Sequence, residues 1–155
     1  MIYVFDTSSF NELSPLIPDV FPTFWAKFAE ALEDGEITST REVLREMANG
    51  PQHHVVDWCN QNKGLFATPD ARETAFVARI LAVPHFGGLI GEKQRLRGTP
   101  VADPFLIARA SVLKATVVSE ESAKPNKPNI PAVCGHFGVP CIKLSDFFRA
   151  KGWSF

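Results

Sequence analysis

The sequence has no apolar run approaching the ~20 residues that a membrane-spanning helix requires, which excludes a transmembrane segment of that kind. It lacks a basic leader, and an aspartate interrupts the first apolar run at position 6, so the N-terminus does not read as a secretory signal peptide. Cysteine is sparse. The three residues, Cys59, Cys134 and Cys141, form no CxxC pair, and an odd count without a secretion signal argues for free thiols in a reducing compartment. Repeats, low-complexity tracts and linker-like stretches are missing too. Charge of one sign is not in excess: the net value is −1, so bulk electrostatics do not announce a nucleic-acid binder. These absences leave a cytoplasmic protein with no membrane association, built as one domain over residues 1–155.

What is present suits that reading. A chain of 155 residues, 45% apolar and 21% charged, has the length and composition for a proper core. Residues 2–5 (Ile-Tyr-Val-Phe) form a continuous apolar run of strand formers, as in a parallel strand buried on both faces. The run ends abruptly in Asp6-Thr7-Ser8-Ser9, which are turn and helix-capping residues. Phe21, Phe24, Trp25, Phe28 and Leu32 recur at helical spacing and predict an amphipathic helix that stops near Asp34-Gly35. A short strand over 36–38 follows, then a helix over 41–47 capped by Ser39 or Thr40. Further helices are predicted over 55–62, 71–81 and from Pro104 to about Lys114. Strands are predicted over 116–118 and 139–142, the latter at an edge because Pro140 breaks it. A short helix over 130–137 and a last helix capped by Ser145 or Asp146 complete the pattern. Residues 83–91 and 119–129 read as connections. Strands alternating with helices predict an α/β fold with three layers, α/β/α, around a central, mostly parallel sheet.

In open parallel sheets, ligands bind beyond the carboxyl ends of the strands. The first strand delivers Asp6 there. The helix after the second carries Glu42 and Glu46, one turn apart on one face. Asp103 stands at the start of a long helix, and the strand over 116–118 delivers Glu120 and Glu121. Four separate elements thus send carboxylates to one edge. Clustered carboxylates repel each other, and their pKa values rise unless a cation sits among them. Hard cations such as Mg2+ and Mn2+ prefer oxygen ligands, and two of them can clamp the attacking and leaving oxygens of a phosphodiester. Such a site has no strong nucleophile of its own, so water must supply it.

Two other clusters are less pointed. Residues 92–97 are mostly basic through Lys93, Arg95 and Arg97, and Lys124 with Lys127 forms a second basic spot. His53 and His54 are adjacent, and neighbours on a helix point about 100° apart, which disfavours a shared ion.

The residues just quoted resemble those of a known family. Residues 3–8 (YVFDTS) resemble the opening of PIN domains, where an apolar strand ends in Asp-Thr-Asn or Asp-Thr-Ser. Residues 37–47 (ITSTREVLREM) resemble their second motif, a strand end followed by a helix bearing an acid. Residues 101–110 (VADPFLIARA) are similar to the third, Ala-Asp before an alanine-rich apolar helix. Residues 117–121 (VVSEE) sit where the family has two apolar residues, Thr, any residue and Asp. The tail, with IPAVCGHFGVPCI, resembles a subfamily known as a domain of unknown function and grouped with PIN toxins, the VapC-like toxin ribonucleases. The resemblance covers essentially the whole chain.

It implies Mg2+- or Mn2+-dependent endonucleolytic cleavage of single-stranded RNA. It further implies a type II toxin, a cognate antitoxin that blocks the acid pocket, and a homodimer. Asp6, Glu46, Asp103 and Glu121 match the family's acidic positions, and Ser8 and Ser119 match the hydroxyl or amide positions beside them. Asp6 and Asp103 are then the main metal ligands, while Glu46 and Glu121 hold a second ion or orient water. Glu42 and Glu120 remain alternatives to their neighbours, because the fourth acid is usually aspartate and here two glutamates stand in its place. Lys93, Arg95, Arg97, Lys124 and Lys127 are expected to contact RNA phosphates. Two other readings compete. One is a non-catalytic PIN-like module that binds RNA or a protein. The other is a haloacid-dehalogenase-like phosphatase, which needs an aspartate two residues after the first where this chain has Ser8.

Overall fold

The apolar run over residues 2–5 becomes β1 (Tyr3–Phe5), with all three strand residues buried. The remaining strands are β2 (Ile37–Thr40), β3 (Phe66–Ala67), β4 (Thr116–Val118) and β5 (Cys141–Ile142). They pair in the order β3-β2-β1-β4-β5, and every pairing is parallel. This is a computed structural model, and it describes residues 1–89, 103–124 and 128–155.

Helices connect the strands, as parallel pairing demands. Among the described residues they are α1 (Thr7–Glu12), α2 (Pro22–Glu33), α3 (Arg41–Asn49), α4 (His54–Gln61), α5 (Ala71–Ala82), α6 (Asp103–Leu113), α7 (Ile130–Phe137) and α8 (Leu144–Lys151). The pleat of β1 sorts them into layers. Tyr3 and Phe5 meet Phe147 of α8 with ring centroids 4.9 and 5.1 Å apart, and Phe5 meets Phe28 of α2 at 5.6 Å. Val4 points the other way, to the face that α6 covers; α6 packs against β1, β2 and β4, with α5 alongside it. The expected three-layer α/β/α arrangement is the one observed. No helix among the described residues is long and apolar enough to cross a membrane.

Gly35 and Thr40 act as the sequence suggests, while Pro22, Asp70 and Glu73 add helix signals that the sequence reading did not single out. Pro22 opens α2 and Gly35, at φ 74°, follows its end. Thr40 caps α3 by accepting from Val43 N–H. Asp70 and Glu73 form a capping box on α5. Three features differ from expectation. Residues 7–12 form a helix rather than only a turn, because Asp6 caps it and accepts from Ser9 N–H. The two-residue strand β3 was not anticipated; it adds to the edge of β2 through Ser39 and Thr40. Neither Ser145 nor Asp146 caps the last helix. Its N-cap is Lys143, whose side chain makes no capping bond to the helix, and Leu144 N–H instead donates to Glu120 Oε1 at 2.7 Å.

The chain winds from β1 outward to β2 and β3, then returns to lay β4 on the other side of β1. The direction of winding reverses between β1 and β4, so a crevice opens there at the carboxyl ends of the strands.

Candidate functional site

Asp6 and Ser119 are the first residues past β1 and β4, and the register Phe5↔Val118 sets them side by side. Ser119 Oγ donates to Asp6 Oδ2 at 2.7 Å. Ser8 Oγ lies 2.9 and 2.8 Å from the two Asp6 oxygens, and Ser9 donates to Oδ1 through both N–H, at 2.7 Å, and Oγ, at 2.8 Å. Asp6 is only 2% exposed. Burial pushes its carboxyl above the usual range, and the donors from Ser119, Ser9 and Ser8 pull against that rise. The local sequence makes this cradle: an N-cap aspartate faces the first-turn N–H groups of its own helix, and Ser8 and Ser9 lie in that turn.

Asp103, the first residue of α6, lies over the same crevice. Its carboxyl is mostly buried and pushed up to about 8, chiefly by desolvation, then by the negative charges of Glu121, Glu46 and Asp6. The four acids named by the sequence therefore share one electrostatic neighbourhood. Glu46 is aimed by Thr7, whose Oγ1 donates to its Oε1 at 2.5 Å. Glu121 is held by Ile130 N–H, which donates to its Oε2 at 2.9 Å, and its own N–H donates to Ser119 Oγ at 3.1 Å. Burial raises the Glu121 carboxyl; the Ile130 N–H works against that, Asp6 adds repulsion, and Lys143 offsets it.

The alternatives to these glutamates have other partners. Glu42 is buried and accepts from Arg41 Nε at 2.9 Å, and its second oxygen has no hydrogen-bond partner among the described residues. Glu120 turns toward α8 and caps it. Its N–H donates to Ser8 Oγ at 3.0 Å, so its backbone, rather than its carboxylate, borders the Asp6 cradle. Among the described residues, no three His, Cys, Asp or Glu side chains already stand at the spacing of a closed metal site.

The whole chain falls into one family: a family model described as a domain of unknown function, DUF4411, matches residues 3–155. The chain belongs to the DUF4411 family. No curated protein matches it. Membership of DUF4411 assigns no activity, so the chemistry must be read from the site.

Of the basic residues singled out in this DUF4411 chain, Lys124 is exposed on the loop that follows Glu121. Lys93, Arg95, Arg97 and Lys127 lie outside the described residues. The histidine pair does not converge on one point. His53 Nε2 pairs with Asn11 Oδ1 and His54 Nε2 with the Ser14 carbonyl, each at 2.8 Å, and both tie α4 to the segment around the end of α1. All three cysteines are free. A cavity of about 520 Å³ opens at the opposite edge of the sheet, near Ile2, Gly35 and Ile37. Its one charged lining residue among those described, Arg109, is already bound to Thr38 and Glu73. The converging acids, not the larger volume, mark the site.

Sequence reasoning overlooked three contributors. Ser9 had a local signal, three residues after an N-cap aspartate. Thr7 acts on Glu46 from 39 residues away, and Lys143 acts on the loop bearing Glu121 across 22 residues, and neither had a local signal.

Proposed function

We propose that this DUF4411 protein is a PIN-like, metal-dependent endoribonuclease that hydrolyses phosphodiester bonds of single-stranded RNA. The observation that carries the reading is Asp103: a carboxyl pushed up to about 8 by burial and by three other acids, which arrive from separate elements at the switch point of a parallel sheet. Such repulsion destabilises the site unless a cation relieves it. The donors fit Mg2+ or Mn2+, because they are all carboxylate oxygens. Bound among them, such an ion supplies an activated water and neutralises charge on the phosphoryl group.

The chain's own residues do the rest. Asp6 and Asp103 hold the ion. Ser119, Ser8 and Ser9 fix the plane of the Asp6 carboxylate through the hydrogen bonds they donate to it. Glu46, aimed by Thr7, and Glu121, aimed by Ile130 N–H, orient the attacking water or share a second ion. Lys124, with the basic residues 93, 95, 97 and 127, attracts the phosphate backbone. In this reading the chain is the toxin of a type II toxin–antitoxin pair. It acts in the cytoplasm as a homodimer, and its antitoxin covers the acid crevice.

The test is cleavage of mixed RNA with and without Mn2+, by wild type and Asp103→Ala. Cleavage that needs Mn2+ and is lost in the variant is expected; equal cleavage by both proteins sinks the reading. A second reading, a non-catalytic RNA-binding module, draws on the absence of a closed ligand set among the described acids. Wild type that retains RNA yet never cuts it selects that module. The phosphatase reading loses ground at Ser8, whose hydroxyl is engaged with Asp6 in the place where an acidic proton donor is required.

A further inference from the structure

The loop that carries Glu121 has no secondary structure to hold it. β4 ends at Val118, and residues 119–124 belong to no helix or strand. Its N–H groups are anchored one by one: Ser119 to the Ile142 carbonyl at 3.0 Å, Glu120 to Ser8 Oγ, Glu121 to Ser119 Oγ. On the other side of the loop, Asn129 Nδ2 donates to the Ser122 carbonyl at 2.5 Å, and one side chain holds the carbonyls of both Glu120 and Glu121. Lys143 Nζ donates to the carbonyls of Glu120 and Glu121, at 2.5 and 2.9 Å, and to Ser122 Oγ at 2.9 Å. An ammonium has three donors, and all three are engaged.

Lys143 is well placed to impose a position. It directly follows β5 and is the N-cap of α8, whose Phe147 is fully buried against Tyr3 and Phe5. The link is reciprocal, since Glu120 Oε1 accepts from Leu144 N–H, the next residue along. The ammonium makes no ion pair with a carboxylate among the described residues. It therefore steadies the loop without occupying the place between the acids.

We infer that Lys143 is a positioning residue: by clamping the Glu120 and Glu121 carbonyls and Ser122 it sets Glu121, and through Ser119 the Asp6 carboxylate, for divalent-cation binding. The inference rests on the proposed metal-dependent reading and deepens it. Groups that orient metal ligands from behind typically change metal affinity or activity by roughly 10- to 100-fold when removed. A point charge with three diverging donors has no neutral substitute of the same length, so methionine removes the clamp and keeps the apolar stem.

The test compares wild type, Lys143→Met and Lys143→Gln by calorimetric titration with Mn2+ alone, at a temperature where each protein is folded by circular dichroism. The expected result is a Kd for Mn2+ weaker by roughly tenfold in a folded variant. In RNA cleavage kcat should fall while KM for RNA stays within about twofold. A clamp that serves stability only would lower the melting temperature and leave the Kd of the folded protein alone. A Kd within about twofold of wild type in either folded variant overturns the inference and leaves the nuclease reading standing. Wild type that binds no Mn2+ at millimolar concentration overturns both.

Discussion

Asp103 ties the stability of the fold to pH. In the folded chain its carboxyl keeps its proton up to about pH 8. In the unfolded chain an aspartate releases it near pH 4. Without a cation the folded state therefore binds more protons than the unfolded state between those values, and stability falls as pH rises through that window, levelling off above about 8. Asparagine does not titrate and nearly matches the shape. In chelator-treated protein, Asp103→Asn should melt higher than wild type by a margin that is small at pH 5. The margin should widen to on the order of 5 °C at pH 8. Differential scanning calorimetry across that range decides it: a margin that stays flat, or narrows as pH rises, contradicts the burial and repulsion assigned to Asp103.

Between elements, a largely buried polar link joins α6, α5 and β2. Arg109 Nε donates to Thr38 Oγ1 at 3.0 Å and its Nη1 to Glu73 Oε1 at 2.9 Å, with the Glu73 side chain 3% exposed. The other Glu73 oxygen accepts from Asp70 N–H to close the capping box of α5. Arg109→Met leaves a buried carboxylate with half its partners, which typically costs about 3–5 kcal/mol. Glu73→Met added to it removes the stranded charge and should recover a large part of that loss in urea denaturation. A single variant within about 1 kcal/mol of wild type would show that the pair is solvated. The same scale explains what could be read from the sequence. Elements that bury a periodic apolar face, such as α2 with Phe24 and Phe28, were legible because the pattern and the packing agree. The two-residue β3 has too few residues to carry a pattern. The cap of α8 was misassigned because its acceptor, Glu120, comes from 24 residues away and displaces the local candidates Ser145 and Asp146. The placement of Asp6 and Asp103 at one crevice is legible from local context, at a strand end and a helix start. The hydroxyls and the ammonium that aim the acids are not, since those bonds exist only once the sheet brings distant loops together.

At the scale of the molecule, the winding reversal between β1 and β4 does what net charge conceals. A chain with net charge −1 still concentrates Asp6, Glu46, Asp103 and Glu121 in one crevice, because each follows or accompanies an element that ends at the same edge of the sheet. Relieving that repulsion in a cooperatively folding domain should register as global stability. A cation that binds only the folded chain, at a hundred times its Kd, adds about 2.7 kcal/mol. For a chain of this length that is a rise in melting temperature of roughly 5–10 °C. Asp6→Asn retains a carbonyl to accept from Ser9 N–H, and the hydroxyls of Ser8 and Ser119 can rotate to accept from its amide, so the variant should fold. Without the Asp6 charge, however, it should gain little from Mn2+. Thermal melts of both proteins with Mn2+ and with chelator provide the comparison. An equal rise in both would place the ion elsewhere, and no rise in wild type would mean that the four acids meet without serving a metal.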